Sequence, residues 1–347
     1  MEIGLARLID EELADHVAES RRFNAGAVAV RGPASLAELR VARERHAARV
    51  RQPGGRAVER IVEAAGRRVA VRVTVPRGDE IRGVYLDIPG GGFYIGSAVA
   101  GDGRNAQLAD GLGVVVVSVD YRLAPENPWP AAPDDCETAA LWLVEHGEEL
   151  FGTAVLAVGG FSAGSNLAMA TLLRMRDRGL AGRFSGAVLQ FGAYDLSGVS
   201  PGGKLYNDEF FIEAYVGNVA DRTDPDISPL FGDVGGLPPA LVVVGSLDVL
   251  LEDNLVLAAR LSAAGNEVDV RVYPESGHGF TNGPSAMAAA ALRGIESWLG
   301  ERVFGGGALG GVGEESAEGE GYGGGAVEGV AEFPGMAVEE VPGGGSQ

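Results

Sequence analysis

The chain has a single cysteine, Cys136, among 347 residues, which excludes an internal disulfide framework. Cys136 falls on a helical pattern and reads as a small core residue. Histidine is also scarce, with four in all. Basic residues are outnumbered by acidic ones, 28 to 48, giving a formal charge of −20. Such a balance argues against a nucleic-acid backbone or an anionic membrane surface as partner. No apolar run approaches the length of a membrane span; the longest, near Val114 to Val119, is strand length. Met1 to Phe23 lacks an apolar core long enough for a secretory signal, so a soluble, cytoplasmic protein with no membrane insertion is expected. From Phe304 to Gln347 there are eight Glu and no Lys, Arg, Asp or His.

What the chain does have is a strand–helix alternation. Leu5 to Arg22 and Ser35 to about Val50 carry helical spacing, the second with Ser35 and Glu38 as a capping box. Pro53-Gly54-Gly55 breaks the chain. Strands are expected at Arg68–Val75, Gly83–Ile88, Val114–Val119, Val155–Val158, Ser185–Phe191, Ala240–Gly245 and Val268–Tyr273. Helices are expected at Asn105–Leu112, Asp134–Leu150, Ala163–Arg178, Glu209–Tyr215, Glu252–Ala264 and Ala286–Leu299. Alternation with Val-rich buried strands predicts an α/β protein with a mostly parallel central sheet flanked by helices. Residues 303–347 are Gly- and Glu-rich without period and are expected to be disordered.

In such sheets reactive groups collect at the carboxyl ends of strands. Ala154 to Asn166 is a β-prone run, then Gly160-Phe161-Ser162-Ala163-Gly164, then a helical pattern. Strand, glycine turn bearing a serine, and helix together present one hydroxyl as a nucleophile. In a chain with 55 glycines the pentapeptide alone is weak, and Gly198-Val199-Ser200-Pro201-Gly202 matches it too. Ser200 follows no strand and precedes no helix, so it reads as a loop serine. Ser162 needs a base. His16, His46 and His146 read as solvated helix positions. His278 lies between two glycines just after the Val268–Tyr273 strand and is the candidate. The base in turn needs a carboxylate. Asp248, just past the Ala240–Gly245 strand, is the best placed; Asp195 is the runner-up, and Glu252 and Asp253 read as helix-face charges. The N–H of Ala163 and the Gly90-Gly91-Gly92 turn can supply oxyanion donors.

With these residues in order, the chain resembles the hormone-sensitive lipase family of α/β-hydrolases, the bacterial family IV carboxylesterases and lipases. The resemblance covers roughly residues 35 to 300. It rests on Pro89-Gly90-Gly91-Gly92, Asp120-Tyr121-Arg122-Leu123-Ala124-Pro125-Glu126 and the Ser162 pentapeptide with Asn166-Leu167-Ala168. Ser228-Pro229-Leu230, Pro238-Pro239-Ala240, Asp248 and His278-Gly279-Phe280 follow in the family's order. It implies an α/β-hydrolase fold with a helical cap, made by residues 1–52 and an insertion at about 196–226 within a catalytic domain at 53–302. It implies a triad of Ser162, Asp248 and His278, and oxyanion donors at Gly91, Gly92 and Ala163. The activity it implies is carboxylic ester hydrolysis, on short- to medium-chain esters, with no cofactor and no metal. The partner is a small-molecule ester, and a homodimer fits this reading.

Three departures stand out: Pro89 where the family has histidine, Phe161 where it has a small acid or threonine, and Ser165 where it has glycine. Pro89 cannot brace the glycine loop by a side-chain hydrogen bond. Arg122 needs a carboxylate partner, for which Asp120 or Glu126 is at hand. The 120–126 motif reads as support for the oxyanion loop. Tyr94, Tyr194, Phe211 and Tyr215, with Phe210, are candidates to line the substrate pocket. A non-catalytic small-molecule-binding protein on the same fold, and an amidase or acyltransferase using the same triad, are the alternatives.

Overall fold

The computed structural model describes residues 8–26, 32–49, 56–206 and 210–305. Eight strands form one sheet: β1 (Val58–Ala64), β2 (Arg67–Thr74), β3 (Gly83–Ile88), β4 (Val114–Asp120), β5 (Leu156–Phe161), β6 (Phe184–Gln190), β7 (Ala240–Gly245) and β8 (Val268–Tyr273). Their spatial order is β1-β2-β4-β3-β5-β6-β7-β8, and only β2 runs against the rest. Val114, Val115, Val116, Val117 and Val119 are wholly buried. A strand covered on both faces shows no polar–apolar alternation, which is why β4 reads as a run of valine interrupted only by the buried Ser118, whose Oγ donates to Asp87 at 2.7 Å.

Helices α3 (Asp102–Leu112) and α8 (Ala286–Trp298) cover one face of the sheet. Helices α4 (Ala131–Phe151), α5 (Ala163–Asp177) and α7 (Leu251–Ala263) cover the other. Short α6 (Phe210–Val216) lies in the long connection between β6 and β7. That connection is pinned to this layer by Asp226, which accepts from Arg174 of α5 at 2.5 and 2.7 Å and from Trp129 Nε1 at 2.8 Å. Two N-terminal helices, α1 (Ala14–Gly26) and α2 (Leu36–Arg49), precede the sheet. No helix among the described residues is long and apolar enough to cross a membrane.

Four expectations about the fold and its internal contacts need correction. Strand β1 was not expected; Glu59, Arg60 and Glu63 mask a short apolar alternation on an edge strand, whose exposed face carries charge. Val303 and Phe304 belong to the core, 7% and 6% exposed, packed with Trp298 and Leu299, so the folded part extends past residue 302. Asp253 is buried, not a helix-face charge: it accepts from the N–H groups of Tyr194 (2.9 Å) and Asp195 (3.2 Å) and from the Tyr206 hydroxyl. Burial pushes its carboxyl above the ordinary aspartate range. Arg122 pairs with neither Asp120 nor Glu126 but with Asp135 of α4, at 2.8 and 2.9 Å. Of the remaining expectations, Leu5, Val50, Pro53-Gly54-Gly55, Glu209 and residues 306–347 of the tail lie outside the described residues.

Candidate active site

The register of the sheet fixes the site. Ile88 at the end of β3 pairs with Gly160 of β5, and Gly245 of β7 pairs with Tyr273 of β8. The glycine loop after β3 therefore starts beside the serine turn, and the Asp248 turn starts beside the histidine loop. Ser246 N–H donates to Tyr273 O at 2.9 Å and Leu247 N–H to Ser276 O at 3.0 Å, stitching those two loops together.

Ser162 sits at φ +53°, ψ −123°, a conformation a non-glycine residue adopts only when its surroundings impose it. Its N–H donates to Gln190 O of β6 (2.9 Å), and its C=O accepts from Ser165 N–H (2.9 Å). The glycine at 164 is dictated by space: a Cβ there would run into the carbonyls of Ile88 and Pro89. The tight crossing of β3 and α5 thus pushes the serine out of the sheet's end. Ser162 Oγ lies 2.9 Å from His278 Nε2, and His278 Nδ1 lies 3.0 and 3.1 Å from the two oxygens of Asp248. The Asp248 side chain has no exposed surface, while that of His278 is 40% exposed. Asp248 Oδ1 also accepts from Leu250 N–H at 2.9 Å, which holds it for the ring. An Asp acceptor on Nδ1 selects the tautomer with the proton there, leaving Nε2 free to receive one from the serine. Phe191 and the imidazole meet in a T-shaped contact at a centroid distance of 5.3 Å.

The glycine loop carries three successive left-handed residues, Gly91 (φ +130°), Gly92 (φ +58°) and Phe93 (φ +64°). Gly91 O accepts from the N–H groups of Tyr94 (3.2 Å) and Ile95 (2.9 Å), closing a turn. A Cβ on Gly91 would strike the Ile95 carbonyl. Among the described residues, the N–H groups of Gly91, Gly92 and Ala163 donate to no other protein group. Gly91 and Gly92 lie in the loop after β3, which pairs with the serine strand β5, and Ala163 directly follows Ser162; amides without an acceptor are of the kind that can receive a developing negative charge.

Pro89 contributes no side-chain brace, and the loop is held by its carbonyls. Tyr121 Oη donates to Pro89 O at 2.8 Å, and Ala124 N–H donates to Phe93 O at 2.9 Å. Asp120 Oδ1 accepts from Ala98 N–H at 2.9 Å beyond the loop. The 120–126 motif is thus stationed behind the glycine loop, as its sequence position suggested. The histidine loop has a brace that sequence reasoning missed. Glu275, at φ +51°, offers its carbonyl to Ser20 Oγ (2.6 Å) and to Asn24 Nδ2 of α1. Arg21 of the same helix pairs with the Glu275 side chain at 2.9 Å. Nothing local in residues 14–26 marks such a role.

The remaining candidates separate. Ser200 sits in a turn, its Oγ accepting from Gly203 N–H at 2.9 Å. Asp195 is buried and spends its carboxylate on Ser197 and Ser200, away from His278. Tyr94 and Phe211 are half-buried, with Tyr94 6.2 Å from Phe210 and 6.5 Å from Phe211 between ring centroids. Tyr194 and Tyr215 are fully buried and offer no surface to a ligand, a correction to their place among the lining residues. Tyr215 stacks on Phe93 at 3.9 Å, and Tyr194 Oη is 2.7 Å from Ser165 Oγ, so both form the floor beneath the loop and the serine turn. His46 is not a solvated helix position: it is half-buried and helps line a cavity of about 340 Å³ with Pro89, Gly90, Gly91, Arg104 and Phe161. The Arg104 guanidinium lies 4.8 Å over the Phe161 ring.

Comparison with known proteins agrees with this architecture. A family model described as the alpha/beta hydrolase fold matches residues 85–282. The carboxylic ester hydrolase LipN of Mycobacterium tuberculosis is 34% identical over 212 residues, 56% of this chain and 56% of that protein. An ethyl acetate hydrolase of Pseudomonas putida is 35% identical over 208 residues, 56% of this chain and 65% of that one. The match therefore spans less than two thirds of either relative's length. An esterase from the hyperthermophilic archaeon Pyrobaculum calidifontis superposes with a TM-score of 0.69 at 31% identity, covering 75% of this chain and 92% of that one.

Proposed function

The chain belongs to the α/β-hydrolase fold family, in its hormone-sensitive lipase branch, and on that premise we propose that it is a serine carboxylesterase. The observation that carries the proposal is the unbroken line from Ser162 Oγ to His278 Nε2 to Asp248; the amides of Gly91, Gly92 and Ala163, which have no acceptor among the described residues and follow the paired strands β3 and β5, support it. Ser162 attacks the ester carbonyl while His278 Nε2 takes its proton. Asp248 holds the ring and stabilises the imidazolium that forms. The carbonyl oxygen gathers negative charge and is received by the N–H groups of Gly91, Gly92 and Ala163. His278 returns its proton to the departing alkoxide, leaving an acyl group on Ser162. Water then repeats the sequence and releases the acid.

The substrates we propose are esters of short to medium acyl chains. Support comes from the name of the Pseudomonas putida relative, an ethyl acetate hydrolase, and from the fully buried, stacked Phe93 and Tyr215 rings behind the glycine loop. Rates over p-nitrophenyl esters from acetate to dodecanoate test this. The maximum in kcat/KM is expected at or below the octanoate ester; a maximum at dodecanoate would contradict it.

A further inference from the structure

Helix α2 reaches the glycine loop through one side chain. Arg43 Nε donates to Tyr94 O at 2.8 Å, and its Nη2 donates to Ala124 O at 2.7 Å. The same guanidinium grips Glu126 in a two-point pair, Nη1 to Oε1 at 2.8 Å and Nη2 to Oε2 at 2.9 Å. The hydrogen bond from Arg43 holds the Glu126 carboxyl below the ordinary glutamate range. Four N–H bonds from one rigid fork fix both its position and its plane.

Each acceptor has a place in the loop's geometry. The Tyr94 carbonyl shares its peptide with Ile95 N–H, which donates to Gly91 O at 2.9 Å, so the peptide that Arg43 grips is part of the turn that sets the left-handed Gly91. Ala124, held by Arg43 at its carbonyl, donates its own N–H to Phe93 O and so holds the loop one residue earlier. Arg43 therefore grips the glycine loop directly at Tyr94 and indirectly through Ala124. Pro89, Phe93 and Tyr94 all have their carbonyls engaged by donors from outside the loop. With those peptides anchored, the amides of Gly91 and Gly92 have a fixed direction. Pro89 itself offers neither an N–H nor a polar side chain to do this.

We propose that Arg43 is a positioning residue for the oxyanion donors: it locks the Gly91–Tyr94 turn from the N-terminal helix α2 and so makes transition-state stabilisation depend on that helix being seated. This rests on the reading of Ser162 as nucleophile and Gly91 and Gly92 as donors. Arg43 does not touch the reacting atoms. Its effect falls on the two tetrahedral steps, acylation and deacylation alike, so kcat drops while KM stays nearly constant.

The test uses the full chain with R43A and R43K. Lysine keeps the charge but cannot fork to Tyr94, Ala124 and Glu126 together, so its effect is intermediate. For p-nitrophenyl butyrate, R43A is expected to lower kcat by about 10- to 100-fold, below the cost of deleting a donor outright, with KM changed by less than about twofold. Affinity for an aryl trifluoromethyl ketone, which forms an oxyanion on the serine, falls in step with kcat. Affinity for the parent methyl ketone with a non-activated carbonyl does not. Stoichiometric labelling by a fluorophosphonate separates the two readings. No label on Ser162 of the unaltered chain overturns the nucleophile. One label per chain in all three proteins, with kcat and trifluoromethyl ketone affinity unchanged in R43A, overturns the role of Arg43 alone. A rise in KM at constant kcat also overturns it, because that is the signature of a ground-state contact. Where R43A fails to fold, R43K decides by the same readouts.

Discussion

Ser162→Ala is expected to lower kcat for a short-chain ester by about 10⁵- to 10⁶-fold, with His278→Ala as damaging and the double variant no worse than either. The reason is that neither group works without the other. Without the imidazole 2.9 Å away, the hydroxyl keeps its proton and is a poor nucleophile; without the hydroxyl, the imidazole has no proton to take. The losses therefore do not multiply. Asp248→Asn is expected to cost less, because it leaves the imidazole in place but removes the acceptor that selects its tautomer and steadies its charge. Steady-state rates of the four variants check this. Multiplicative losses in the double variant would mean that Ser162 and His278 do not act as one unit. Folding should survive in each case. Ser162 and His278 lie at the ends of strands with part of their surface open, so removing either side chain leaves the buried core of the sheet untouched.

The second large effect is at Gly91. Gly91→Ala is expected to cost about 10³-fold in kcat, at the upper end for an oxyanion donor, because one substitution misplaces two donors. Gly91 holds φ +130°, which an alanine resists, and the new methyl group would meet the Ile95 carbonyl. The turn must open to relieve that collision, and the amides of Gly91 and Gly92 turn with it. The triad is untouched, so fluorophosphonate should still reach Ser162 stoichiometrically, though slowly. Circular dichroism and a labelling time course check the two halves of this prediction. A variant with full activity would show that Gly91 and Gly92 are not the donors.

The residues that face one another across the end of the sheet were legible because each follows a strand by a turn. Ser162, Asp248 and His278 are a few residues past β5, β7 and β8, and parallel topology brings such turns to one edge whatever the details. The glycine triplet was legible for the same reason. Partners supplied from distant elements were not. Arg122 has Asp120 and Glu126 within reach in sequence, but α4 folds back and presents Asp135. Asp253 carries a helix-face period, and the Tyr194 and Asp195 amides and the Tyr206 hydroxyl that bury it come from the connection after β6. Phe304 stands in a glycine-rich context that reads as unstructured, yet it closes the core beside Trp298. Arg43, Ser20 and Asn24 lie on N-terminal helices whose composition marks no contact surface, and only the tertiary fold shows that they reach the two reactive loops.

The central claim is that Ser162 forms a covalent bond with the substrate's acyl carbon, and intact-mass analysis after fluorophosphonate treatment tests its first half most directly. One adduct per chain, mapped to the peptide bearing Ser162 and absent from Ser162→Ala, is the predicted result. An unlabelled chain, or a Ser162→Ala variant labelled as fully as the original, would contradict it.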